Sequence, residues 1–92
     1  MAANVYMKSV VLNQAGQWFK LAASETVLET TIVTAGLGMV PSDAYLFIRY
    51  RGGTPVEWPV GKGVRLEGVD LSELEVGHGN ANVRVSVIGH TR

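Results

Sequence analysis

Ala44-Tyr45-Leu46-Phe47-Ile48-Arg49-Tyr50-Arg51 alternates along its whole length. Leu46, Ile48 and Tyr50 fall on one side, Tyr45, Phe47, Arg49 and Arg51 on the other. Successive side chains of an extended chain point to opposite faces of a sheet, so period two reads as a strand. Its aromatic and β-branched residues suit a pleated surface. Gly52-Gly53-Thr54-Pro55 then turns the chain, each residue type being one that turns favour.

The same rhythm extends in both directions. Downstream, Val56-Glu57-Trp58 is a short strand ended by Pro59, Gly61-Lys62-Gly63 is a turn, and Val64, Leu66 and Val69 mark another strand. Leu71–Val76 continues through Leu74 and Val76. Asp70 is placed to cap a single helical turn over Asp70–Glu75, but six residues are too few to sustain a helix. After the Gly77-His78-Gly79-Asn80 loop, Val83, Val85 and Val87 alternate against Arg84 and Ser86. Upstream, Val5–Leu12 is a β-branched run followed by a turn at Asn13-Gln14-Ala15-Gly16. In Gln17–Ala22, Phe19 and Leu21 oppose Trp18 and Lys20. In Thr26–Ala35, Leu28, Thr30 and Ile32 oppose Val27, Glu29 and Val33. About eight short strands spaced by roughly 8–12 residues predict an all-β, antiparallel β-sandwich of jelly-roll-like form.

Composition narrows the functions such a fold can serve. At 92 residues, 1–92 reads as a single domain, because two would each be too small for a core. The absence of cysteine excludes a disulfide framework and a thiolate zinc site, and two histidines alone cannot complete a structural metal centre. Eight basic residues balance eight acidic ones, whereas a general nucleic-acid binder carries a basic excess. There is no apolar run long enough to span a membrane, and Met1–Val10 lacks a signal peptide's apolar block.

Candidate chemistry is sparse. No serine sits in a nucleophile-elbow pattern. His78 lies in a glycine loop and His90 near the C-terminus, where general-base geometry is hard to hold. Glu73 and Glu75 fall on one face of a short strand, a spacing open to paired-carboxylate chemistry but more simply a solvent-facing edge. Asp70 with Glu73 or Asp43 lacks the dense carboxylate run of a calcium loop. Gly36-Leu37-Gly38 and Gly61-Lys62-Gly63 lack the following helix that a phosphate-binding loop needs, and read as turns. The sequence therefore predicts no catalytic residue, no cofactor and no metal.

Binding is better supported. Arg49, Arg51, Arg65 and Arg84, interleaved with Tyr45, Phe47 and Trp58, form the nearest thing to a nucleic-acid or sugar platform. Glu57, Glu67 and Glu73 are positioned to neutralise those arginines across strands. Tyr, Trp and Arg are also the residues enriched at protein interfaces. Both faces of Tyr45–Arg51 and of Val5–Leu12 carry large apolar groups, and charged residues make up only 17% of the chain. A two-layer sandwich buries one face of each sheet, so the excess predicts a covering partner. The expected anchors are Trp18, Tyr45, Phe47 and Trp58, with Arg49 and Arg51 at the rim.

In order, Gln17-Trp18-Phe19-Lys20-Leu21, the valine- and threonine-rich strand to Ala35, and Tyr45–Arg51 with Gly52-Gly53-Thr54 make a recognisable series. Gly63–Leu66 leading to Gly68-Val69-Asp70-Leu71-Ser72, then Leu74-Glu75-Val76 and Val83–Gly89, complete it. The series resembles small β-sandwich structural proteins of tailed bacteriophages, of the capsid decoration and head accessory type, over nearly the whole chain. Its motifs are individually of a kind any sandwich of this size uses. The resemblance implies a non-enzymatic virion protein, a capsid decoration (cement) protein stabilising a phage head by docking across capsid subunits. It further implies a homo-oligomer, commonly a trimer, partnered by the major capsid protein or another virion protein. Such a protein assembles in the bacterial cytoplasm and resides on the virion surface, with Met1–Asn4 as a candidate arm. The alternative is a carbohydrate- or receptor-binding module of a tail or fibre, using Trp18, Trp58 and Tyr45 as a sugar platform.

Overall fold

In the computed structural model, residues 5–24 and 27–90 are described, except for the side chains of Val27 and Leu28; Met1–Asn4 lies outside them. The elements are β1 (Val5–Leu12), β2 (Trp18–Lys20), β3 (Val27–Gly36), β4 (Tyr45–Tyr50), β5 (Val56–Pro59), β6 (Gly63–Asp70), β7 (Leu74–Gly77) and β8 (Val83–His90). They form two four-stranded sheets, β1-β8-β3-β6 and β2-β7-β4-β5, with every pairing antiparallel.

The topology has a simple physical description. β1 pairs with β8, β2 with β7, β3 with β6 and β4 with β5, so the chain is one long antiparallel ribbon doubled back at the β4–β5 turn. Rolling that ribbon brings β3 against β8 and β4 against β7, which closes each sheet and yields the paired Greek keys of a jelly roll. The expected all-β sandwich is thus the observed fold.

Alternation sorts the side chains as the sequence indicates. β8 alternates strictly between buried and exposed residues, with Val83, Val85 and Val87 inward. Together with Leu12, Leu21, Ile32, Leu46, Leu71, Leu74 and Val76 they fill the space between the sheets. The core is aliphatic; Tyr6, Phe19 and Trp58 pack at its edges. At the β1–β2 edge, the Tyr6 hydroxyl donates to the Leu21 carbonyl and Lys8 Nζ reaches the Lys20 carbonyl at 3.3 Å.

The structure corrects several local expectations. Alternation was expected to run through Arg51, but β4 ends at Tyr50. Arg51 (φ 53°) and Gly52 (φ 68°) form the centre of a turn closed by Gly53 N–H donating to the Tyr50 carbonyl at 3.0 Å. Two positive φ angles make it a type I′ turn, the first bend of the connection that reaches β5 at Val56. Leu71–Val76 is a strand only from Leu74. Asp70 Oδ1 accepts from Ser72 N and Oγ at 3.0 and 2.9 Å, which bends the chain and leaves Glu73 outside the strand. In β6, Leu28 pairs with Val69 and Glu29 with Glu67, so Gly68 is the unpaired residue of a bulge.

One buried polar residue ties the roll together. Thr34, on the inner face of β3, accepts a hydrogen bond from Gly61 N–H at 2.9 Å and donates to the Lys62 carbonyl at 3.0 Å. It thereby pins the turn through which the chain passes from one sheet to the other. Thr34→Val keeps the shape but strands the Gly61 N–H and leaves the Lys62 carbonyl only its bond from Trp58 Nε1 at 3.3 Å, which costs about 1–3 kcal/mol. Urea denaturation should show a lower midpoint at an unchanged slope. Thr31→Val, exposed on the same strand, should shift stability by no more than about 0.5 kcal/mol.

Candidate functional site

The six residues expected at an interface occupy three different places. Trp18, Tyr45, Phe47 and Arg49 lie on the outer face of the smaller sheet, where Trp18 and Phe47 both stand opposite Gly77 in neighbouring strands. Trp58 stands opposite Leu46, a core residue, and so faces inward. Arg51 is at the turn, its guanidinium carbon 5.2 Å from the Tyr50 ring centroid. A single platform of Trp18, Trp58 and Tyr45 is therefore not formed, because Trp58 is on the opposite side of its sheet from the other two.

The outer aromatic group is held from several sides. A Cβ built on Gly77 would lie 3.0, 3.1 and 3.1 Å from three consecutive atoms of the Trp18 six-membered ring. Nearly equal distances to three neighbouring atoms place the ring's face, not its edge, against the glycine. Arg49 Cζ lies 3.8 Å from the Trp18 ring centroid, and Arg49 Nε donates to Glu75 Oε1 at 3.0 Å. Tyr45 and Phe47 meet edge to face with centroids 5.3 Å apart. The Asn80 side-chain oxygen accepts from Tyr45 N–H at 2.8 Å. Cation–π contact, ion pair and edge-to-face stacking each contribute of order 0.5–1.5 kcal/mol. This surface is a braced aromatic cap.

Charge pairing differs in detail from expectation. Glu67 does approach an arginine, with Arg65 at 3.9 Å, and Arg65 also lies 3.6 Å from Glu29. Glu75, not Glu73, takes Arg49. His78 Nε2 lies 3.1 Å from Asn82 Oδ1, and its buried Nδ1 has no hydrogen-bond partner among the described residues. Among the described residues, no three of His, Cys, Asp and Glu converge as a metal site would require.

Two features were not named from the sequence. An apolar groove of about 370 Å³ opens between the sheets, lined by Ile32, Val64 and Leu66 from the larger sheet and Ile48, Val56 and Trp58 from the smaller. Arg49, Leu74 and, from the β4–β5 turn region, Tyr50, Gly53 and Thr54 complete its wall. The other feature is the outer face of the larger sheet. Val5, Met7, Val11, Val33 and Ile88 project there, five of the eight large apolar side chains exposed among the described residues; Met7 is 71% exposed and Ile88 51%. Met7 stands directly opposite Ile88. The signal was present in the sequence as apolar residues on both faces of Val5–Leu12. Which face lies outward depends on packing between the sheets.

Gly77→Ala should set a methyl group 3.0–3.1 Å from three atoms of the Trp18 ring, tight enough that the ring must move off the glycine, at a cost of about 1 kcal/mol. In a Trp58→Phe background, which leaves Trp18 as the sole tryptophan, its emission should move to longer wavelength as the ring swings into water. An unchanged spectrum would mean that Trp18 does not rest on Gly77.

Comparison with known proteins finds no matching family model, no matching curated protein and no matching solved structure.

Proposed function

We propose that this chain is a non-enzymatic structural subunit of a virus particle, a capsid decoration protein that stabilises a tailed-phage head by docking across its capsid subunits. The observation that carries the reading is the apolar outer face of the β1-β8-β3-β6 sheet. Five large apolar side chains share one side of a regular sheet, with Val5, Met7 and Ile88 adjoining one another, and apolar side chains gathered on one exposed face of a small domain support a docking surface. The jelly-roll strand order supports it more weakly, because capsid proteins and lectins share that architecture and a fold alone does not settle function. The phage resemblance in the sequence supplies the choice of assembly.

In this reading the subunit acts by burial and repetition. The apolar face packs against copies of the same chain, and the braced aromatic and arginine surface around Trp18, Tyr45, Phe47 and Arg49 meets the major capsid protein. Each buried square ångström of apolar surface contributes roughly 25 cal/mol before the costs of association. Modest contacts repeated by symmetry then resist the pressure of a packed genome.

The test is binding of the purified protein to heads that lack it, followed by the temperature at which those heads release DNA. The proposal expects retention on heads and a higher release temperature. Met7→Asp with Ile88→Asp, at exposed positions that tolerate polar residues, should reduce retention at least tenfold while leaving the melting temperature of the free protein nearly unchanged. Failure of the protein to associate with particles would overturn the reading, and Trp58-dependent binding on a glycan array would favour the sugar-binding alternative.

A further inference from the structure

The register of the larger sheet places every outward residue in a row across the strands. At one end, Val5, His90, Glu29 and Glu67 lie side by side; at the other, Val11, Arg84 and Ala35. Between them Met7 stands beside Ile88, and one row on Ser9 stands beside Ser86. The first end carries two carboxylates, the largely buried Glu29 and the exposed Glu67, with Arg65 at 3.6 and 3.9 Å from them. His90 Nε2, 3.5 Å from Glu29, adds charge only when protonated. The opposite end carries Arg84, exposed and in no ion pair among the described residues.

Such a face is complementary to its own reverse. Turning a second copy about a two-fold axis that runs across the strands exchanges the two ends. Arg84 of each copy then comes over the His90 position of the other, within a strand's spacing of Glu29. Val5 meets Val11, and the large pair Met7 and Ile88 meets the small pair Ser9 and Ser86. Large side chains facing small ones are what two sheet faces need to interdigitate. Rotation about an axis parallel to the strands would instead set the two Glu29 ends against each other. We propose that two copies of this chain pair face to face through their β1-β8-β3-β6 sheets, strands reversed, with Arg84 of each meeting the Glu29 end of the other. This rests on the assembly reading above and deepens it by fixing how two copies are oriented on the apolar face.

The area bounds the strength of the pair. Four strands about 4.8 Å apart and eight residues of about 3.3 Å each give a face of about 500 Å² per copy. The total of roughly 1,000 Å² is at the lower limit for a specific interface. The pair should therefore be concentration-dependent, forming in the micromolar range or above.

Sedimentation equilibrium over a concentration series, with the full chain, reads the association directly. The expected result is a monomer–dimer equilibrium, with the dissociation constant raised at least tenfold by Arg84→Glu at an unchanged melting temperature. The chain has no cysteine of its own, so orientation can be read by single-cysteine variants. A mixture of Val5→Cys and Val11→Cys chains should form disulfide-linked dimers on oxidation, whereas Val5→Cys alone should not, its two copies being about 20 Å apart along the strands. A monomer at every concentration, a trimer, or efficient cross-linking of Val5→Cys alone would each overturn the pairing. Head retention, measured separately, decides the wider reading: retention by a strictly monomeric protein overturns the pair alone, and loss of retention by a dimeric one overturns the decoration role alone.

Discussion

Everything in this molecule depends on the first half of the chain pairing with the second in reverse order. β1 finds β8 across almost the entire sequence, and only β4 and β5 pair through a short connection. No strand pair except that apex hairpin is local, so loop-closure entropy is met before most of the burial that offsets it. β8 is the hinge of the arrangement, since it supplies hydrogen-bond partners to both β1 and β3 and three valines to the core. Loss of β8 would leave β1 without a partner, β3 paired only with β6 and the inner faces uncovered, so the chain behaves as one cooperative unit despite its two sheets.

Rolling a ribbon into two layers about 10 Å apart also decides which residues go inside. The interior is filled by leucine, valine and isoleucine, which interdigitate in that gap without polar atoms to satisfy. Aromatic residues are displaced to the margins. Tyr6 and Trp58 each send a polar atom to a backbone carbonyl, Leu21 and Lys62 respectively. Trp18, Tyr45 and Phe47 lie on the outside, where Gly77 and the Arg49–Glu75 pair brace Trp18. The aromatic surface is thus largely engaged with its own sheet. The larger sheet's outer face has no comparable cover among the described residues, which is why its exposed aliphatic residues, and not the aromatic ones, support the docking reading.

The fold was legible because period-two alternation survives in nearly every strand. Val83, Val85 and Val87 against Arg84 and Ser86 is as clear in the sequence as in the burial. Legibility failed where the determining contact is distant. Nothing near Arg51 distinguishes a continuing strand from a type I′ turn, because arginine is an uncommon residue at a positive φ. Glu75 rather than Glu73 meets Arg49 because β7 starts at Leu74, a boundary set by the Asp70 side chain. Trp58 reads as exposed in Val56-Glu57-Trp58, whose three residues carry no face preference until Leu46 is opposite. For β1 the sequence shows apolar residues on both sides, and only the second sheet determines that Val10 and Leu12 are inward while Met7 and Val11 are outward.

The two sheets are also unequal, and the groove follows from that inequality. The larger sheet has strands of 8, 8, 10 and 8 residues, the smaller strands of 3, 4, 6 and 4. The smaller sheet cannot cover the inner face of the larger to its edge, so Val64 and Leu66 of β6 look across an open gap at Val56 and Trp58. Extending β5 would close the gap, but Pro55 and Pro59 bound that strand, and proline both lacks the donor and restricts the residue before it. The two sheets therefore leave two apolar regions open, a gap where the small sheet ends and an outer face that no third layer of the described residues covers. Lengthening the chain to add such a layer would cost further ordering entropy, whereas a second copy offers a prefolded sheet of the required width and spacing.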